Sequence, residues 1–206
     1  AAVLITTLIS CSLVAFGFAR IPFPLKGLWF SIVLGTLMLP NQVTLVPQYV
    51  LFNALGWVDT YLPFIVPHML AGGAGGTFFV FLLIQFVRGI PKELEEAARI
   101  DGCSDYRIFG QIMLPLIKPA LSTVTILTFI ANWNNFLWPM VAIRDNALKP
   151  LTVGIAQFLG GANSTAQFQY GTSLAAACMA IIPSVIVFLL LQRYFVEGIT
   201  NSGIKG

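Results

Sequence analysis

Charge is scarce in this chain. Of 206 residues only 9% are Asp, Glu, Lys or Arg, against 57% hydrophobic residues, and the mean hydropathy is +0.86. Soluble globular domains carry roughly a quarter of their residues as charged ones. A chain so poor in charge cannot cover a compact body with a solvated surface, which excludes an ordinary soluble enzyme and a disordered segment. Cysteine is scarce too. The three thiols, Cys11, Cys103 and Cys178, lie far apart and match no metal-ligand spacing, so neither a disulfide-stapled module nor a zinc site is encoded. His68 is the single histidine, and one imidazole makes no metal site. No Gly-rich loop followed by Lys-Ser or Lys-Thr is present, so nothing here hydrolyses ATP.

What the chain has instead is length without charge. Five stretches reach the roughly 20 apolar residues that cross a bilayer: about 1–19, 27–53, 61–87, 119–140 and 172–192. Within lipid every backbone N–H and C=O must be satisfied internally, and these continuous runs lack the alternation of a β-barrel strand, so the spans are helices. The expected fold is an all-α integral membrane protein with five transmembrane helices. Pro40-Asn41-Gln42 and Pro47-Gln48 interrupt the second span, and Pro183 is expected to kink the last. No acidic or basic residue sits at a span centre. That speaks against an intramembrane enzyme and against a proton-coupled secondary transporter or channel.

Orientation follows from Lys and Arg. With alternating spans, one side holds Arg20, Lys26, Arg88, Lys92, Arg99, Arg107, Lys118, Arg193 and Lys205, and the other only Arg144 and Lys149. The basic side is expected in the cytoplasm, with residue 1 outside. One further span upstream, six in the full chain, is the simplest expectation.

The segment between the third and fourth spans, about 88–118, is different. Ten of the nineteen charged residues lie here. Pro91 stands where a helix would start, Glu93, Glu95 and Glu96 follow, Arg99 is near the end, and Gly102 serves as a left-handed stop. At 100° per residue, Leu94, Ala97 and Ala98 share a narrow small-residue face, and Lys92, Glu95, Glu96 and Arg99 the other. Ser104 is placed to cap a second short helix with Ile108, Phe109, Ile112 and Met113 as its apolar stripe, ended by Pro115. Two readings stand: a helix–turn–helix whose small-residue side fits a groove in a partner, or a solvated amphipathic connector.

Glu96-Ala97-Ala98, three residues, Gly102, nine residues, Ile112, one residue, Leu114-Pro115 resembles the EAA loop of permease subunits of binding-protein-dependent ABC importers. The resemblance implies that this segment is the coupling helix, docked on a cytoplasmic ATPase through Glu96, Ala97, Ala98 and Gly102, with Leu94, Arg99, Leu114 and Pro115 around them. Asn132-Trp133-Asn134-Asn135-Phe136-Leu137-Trp138-Pro139 looks like the WN-x-FLWP segment of the sugar branch, the maltose-type permeases. The run from Gln192-Arg193-Tyr194-Phe195-Val196 through Gly198 to Lys205-Gly206 resembles that branch's ending. The likeness implies that 1–206 is a single transmembrane permease domain in a bacterial or archaeal inner membrane. Its implied partners are an ATPase dimer, a second permease chain, an external solute-binding protein and a sugar. ATP and Mg are expected on the ATPase, no cofactor in this chain, and no nucleic-acid partner. Importers of amino acids, polyamines or inorganic anions remain the alternative cargo classes.

The residues point to a polar pathway on their own. Thr125, Thr128, Asn132 and Asn135 fall within about an 80° arc of one helix, and such a stripe should face protein or water rather than lipid. Amides and hydroxyls can exchange hydrogen bonds with sugar hydroxyls, and Trp133 could offer a ring face. Hydrogen bonding between helices is the competing use of the same groups. Asn41 and Gln42, at the break in the second span, are the other pathway residues. The loop at about 141–171 is expected outside, where Gly160, Gly161, Ala162 and Asn163 would approach the binding protein. A flexible connector is the alternative there.

Overall fold

The computed structural model describes residues 1–160 and 170–203. Every regular element among the described residues is a helix. α1 (Ala2–Arg20) is 19 residues of mean hydropathy 2.2, long and apolar enough to cross a membrane alone. Pro22 and Pro24 forbid its continuation.

The stretches expected as single spans over 27–53, 61–87 and 119–140 are each divided. α2 (Lys26–Thr36) and α3 (Asn41–Ala54) meet at 101°. Pro40, extended at ψ 133°, makes that corner, whereas Pro47 lies inside α3 without ending it. α4 (Leu62–Met69) and α5 (Gly76–Gly89) are separated by a glycine-rich turn. Gly76 fits there because a Cβ would stand 2.3 Å from the Ala71 carbonyl oxygen. α6 (Glu93–Ile100) is the short charged helix.

Beyond it, α7 (Asp105–Arg107), a π-helical turn (Ile108–Met113) and α8 (Leu114–Leu116) run on together, then bend by 76° into α9 (Lys118–Trp133). Pro115 therefore does not end the helix as expected. It has no N–H for the carbonyl four residues back and its ring crowds that carbonyl. A π-turn, one residue wider, precedes it, and the corner falls at Ile117.

α10 (Leu137–Ala142) follows α9. The segment expected as an external loop holds a 3₁₀ turn (Asn146–Leu148) and α11 (Leu151–Gly160), with Val153 fully buried. α12 (Tyr170–Gly203) passes through Pro183 as one helix of 34 residues.

The core lies between α1, α5 and α9. Thr7, Cys11 and Ala15, four residues apart, present a small face on α1 that lets α5 approach closely. α5 answers with Phe79, Val80, Leu83, Ile84 and Val87, all buried. Ile108 and Met113 of the π-turn, with Ala120 and Val124 of α9, complete the cluster. By contrast α2 buries no residue and α3 only Phe52. Trp29 and Val46 on them, Met38 in the turn between them, and Met179, Ile182 and Leu190 on α12 are exposed. Apolar faces of this extent suit lipid or a neighbouring subunit, not water.

Candidate functional site

Two places on this scaffold carry chemistry, beginning with the charged end. α6 opens with Glu93, Glu95 and Glu96 in its first turn and Arg99 in its last, which favours the helix dipole at both ends. It closes on Gly102 at φ +80°, with Cys103 N–H donating to Ala98 O at 2.9 Å and Gly102 N–H to Arg99 O at 3.0 Å. This six-to-one closure needs a left-handed residue, and glycine meets it without strain. Ser104 caps the next helix by position alone, because its side chain makes no capping bond.

The expected faces of α6 are rotated. Glu95 and Ala98 turn inward and are buried, while Leu94, Glu96 and Ala97 remain exposed. The sequence grouped Ala98 with Leu94 and left Glu95 on the solvated side. What overrides that pattern is a cation on another helix: Arg20 Nε stands 2.6 Å from Glu95 Oε1, both side chains nearly inaccessible. Burial raises the Glu95 carboxyl above its usual range, opposed by the Arg20 charge. Arg99 pairs instead with Asp105 across the Gly102 turn at 2.8 Å, half exposed. Ile100 and Tyr106, each 86% exposed, extend the outer apolar surface begun by Leu94. Leu114 packs against the core and Pro115 is exposed.

The second place is a cavity of about 560 Å³, within the range of small-molecule sites. It gathers Asn41, Gln42 and Gln48 of α3, His68 of α4, and Asn132 and Asn135 around the end of α9, with Trp138 as an aromatic wall. Among the described residues no Asp, Glu, Lys or Arg lines it. Asn132 Nδ2 donates to Thr128 O at 2.9 Å, one turn back. The ring of His68 is fixed by Nδ1 donating to Phe64 O at 2.7 Å, and Ser10 Oγ of α1 donates to the His68 carbonyl at 2.6 Å. Gly73 lies against that ring so closely that a Cβ would meet it at 2.3 Å.

The structure thus brings Asn41, Gln42, Asn132 and Asn135 together and leaves the other expected pathway groups apart. Thr125 Oγ1 donates within its own helix to Leu121 O, and Thr128 is buried. Trp133 turns to α12, donating from Nε1 to Ala180 O at 2.9 Å and stacking on Phe129. The hydrogen-bonding needs of the helix pair take the indole that sequence reasoning offered to a ligand. Trp138, His68 and Gln48 take its place at the cavity. The signal for Gln48 lay in the break at Pro40, which turns α3 away from α2. Gly160 ends α11, while Gly161, Ala162 and Asn163 lie outside the described residues.

A third feature had no sequence signal. Asp59, at φ +64°, accepts from the backbone N–H groups of Arg144 at 2.6 Å and Asp145 at 2.8 Å. These bonds, Asp145 foremost, hold its carboxyl below the usual range. Arg144 Nη2 donates to Tyr49 OH at 2.7 Å.

Residues 9–201 match the family described as binding-protein-dependent transport system inner membrane component. The chain is similar to the arabinooligosaccharides transport system permease protein AraQ of Halalkalibacterium halodurans, 39% identical over 99% of this chain and 70% of that protein. It is also similar to the sn-glycerol-3-phosphate transport system permease protein UgpE of Yersinia pestis, 37% identical over 91% of this chain and 64% of that one. Among solved structures it resembles a bacterial ABC transporter involved in the import of the acidic polysaccharide alginate. That match has a TM-score of 0.78 and 27% identity, covering 94% of this chain and 70% of the other.

Proposed function

Because the chain belongs to the family of inner membrane components of binding-protein-dependent transport systems, we propose that it forms half of the pathway of an ABC importer for an uncharged sugar or oligosaccharide. The single observation that carries the cargo class is the cavity. Amides from α3 and from the end of α9 meet His68 and Trp138, with no charged group among the described residues that line it. Amides both donate and accept, which matches hydroxyl-rich solutes, and an indole face can cover the apolar side of a sugar ring. A phosphorylated or carboxylated solute would leave its charge without a compensating group there, which is costly out of water. The relative named for arabinooligosaccharides fits this class, while the one named for sn-glycerol-3-phosphate is named for an anionic solute.

In this reading α6 faces the cytoplasm and docks its outer side, with Leu94, Glu96, Ala97, Arg99 and the Gly102 turn, on an ATPase that binds ATP and Mg. Five membrane crossings in this chain, with each divided stretch forming one of them, and a sixth upstream complete the subunit. The apolar faces of α2, α3 and α12 meet lipid and a second permease chain. A binding protein delivers solute at the Asp59–Arg144 end. The subunit itself catalyses no reaction.

Affinity purification through a tag on this subunit, from membranes of its own host, tests the proposal. Recovery of an ATPase and a second permease chain, with ATP-dependent uptake of a neutral oligosaccharide, is expected. Glu96→Lys should preserve insertion and abolish that uptake. A stable monomer that transports without ATP would overturn the importer reading, and preferred uptake of an anionic solute would overturn the cargo class.

A further inference from the structure

Arg20 is the last residue of α1, and its guanidinium meets two other elements at once. Nη2 donates to Val87 O at 2.7 Å and Ile90 O at 2.5 Å, carbonyls of the last turn and C-cap of α5. Nε lies 2.6 Å from Glu95 Oε1, with side-chain exposures of 4% and 7%. The N–H does not point along that line, so the contact is a charge pair without a hydrogen bond of good geometry.

Buried ion pairs contribute little net stability compared with apolar residues of the same shape, yet separating one leaves two uncompensated charges out of water. Such a pair resists parting while leaving joint movement free. The remaining inward residue of α6 is Ala98, an apolar contact that can slide. Midway along the same rod, about ten residues or roughly 15 Å away, Ser10 Oγ holds the His68 carbonyl beside the cavity. Cys11 and Ala15 between them pack in the core with α5.

We infer that Glu95 and Arg20 are a positioning pair that carries a displacement of α6 into α1 and α5, and through Ser10 to the cavity wall at His68. This rests on the importer reading, in which α6 is the element a partner moves. The two neighbouring glutamates then divide the work: Glu96 faces outward to the partner, and Glu95 faces inward to the helices that must follow.

The whole importer in proteoliposomes, with its binding protein, tests the pair by counting solute moved per ATP hydrolysed. Glu95→Gln keeps the shape and removes the charge. ATP hydrolysis is expected to stay at the wild-type rate while solute moved per ATP falls about fivefold or more, the low end of coupling between distant sites. Arg20→Gln should give a loss of similar size, and the double Arg20→Gln/Glu95→Gln no further loss, because both break one link. Wild-type stoichiometry in Glu95→Gln, or losses that multiply in the double, would overturn the inference. Should the singles not assemble, Arg20→Met/Glu95→Leu leaves no unpaired charge and is expected to assemble with the same coupling loss. Full coupling in that variant, or its own failure to assemble, would reduce the pair to a folding role and refute the inference. A wild-type preparation without an ATPase would instead sink the importer reading, and it is seen before any variant is compared.

Discussion

The indole N–H of Trp133 donates to the Ala180 carbonyl at 2.9 Å, tying α9 to α12 beside the cavity but not within it. The tryptophan that faces the cavity is Trp138, five residues on. Trp133→Phe keeps the stacking on Phe129 and removes one interhelical hydrogen bond. Stability in detergent should fall by ~0.5–1.5 kcal/mol, read as a lowered thermal midpoint, with solute affinity unchanged. A selective loss of affinity without loss of stability would return Trp133 to the pathway.

Asn132 and Asn135 are half-buried at the cavity edge. Asn135→Leu should raise the KM for a neutral oligosaccharide about two- to twelve-fold, the equivalent of one hydrogen bond of ~0.5–1.5 kcal/mol, while the purified complex melts as wild type. Asn132→Leu also removes the bond to Thr128 O and should show a small loss of stability besides. Uptake kinetics equal to wild type in both variants would assign these amides to packing.

Asp59 gives a pH dependence whose sign is set by its two backbone donors. Its carboxyl is held below the usual range in the fold by Asp145 N–H first and Arg144 N–H second. The stabilisation is therefore complete above the ordinary aspartate pKa, about 4, and is lost as pH falls through the lower folded value. Hydrogen exchange at the Arg144 and Asp145 amides should stay slow from neutral pH down to that region. Asp59→Ala should exchange fast at every pH, and protection that persists in this variant would dismiss the clamp.

Gly73 has its value in what it leaves empty. An alanine Cβ would fall 2.3 Å from His68 Cδ2 and 2.4 Å from Nε2, so the buried ring at the cavity wall must shift. Gly73→Ala should cost ~1–3 kcal/mol, the range for overfilling a packed site, and lower solute affinity together with stability. Gly110→Ala, where nothing lies within 4 Å, is the control and should cost far less.

Much of this was legible in the chain itself. The helical class, the apolar stretches and the charged segment around α6 are local properties: runs of like residues, with Pro and Gly as punctuation. The corner at Pro40 and the left-handed stop at Gly102 follow from one residue's own backbone preferences. So does the presence of polar groups at 41–42 and 132–135, since lipid would not tolerate them outside a protected site.

Rotation about the helix axis was not legible. On α6 adjacent positions differ by about 100°, and in a helix so rich in charge no apolar stripe chooses which glutamate turns in. Arg20, seventy-five positions earlier in the chain, makes that choice for Glu95. On α9 both the cavity and α12 can satisfy an indole N–H, and the carbonyl of Ala180 takes it. Asp59 meets Arg144 and Asp145 only because α3, α4 and α10 converge at one end. Composition and spacing determined by themselves that this chain is a bundle of membrane helices with a polar handle, because hydropathy and proline act within a few residues. Tertiary structure alone decided which polar groups meet, because a buried hydrogen bond or ion pair is completed by whichever partner the packing brings within about 3 Å.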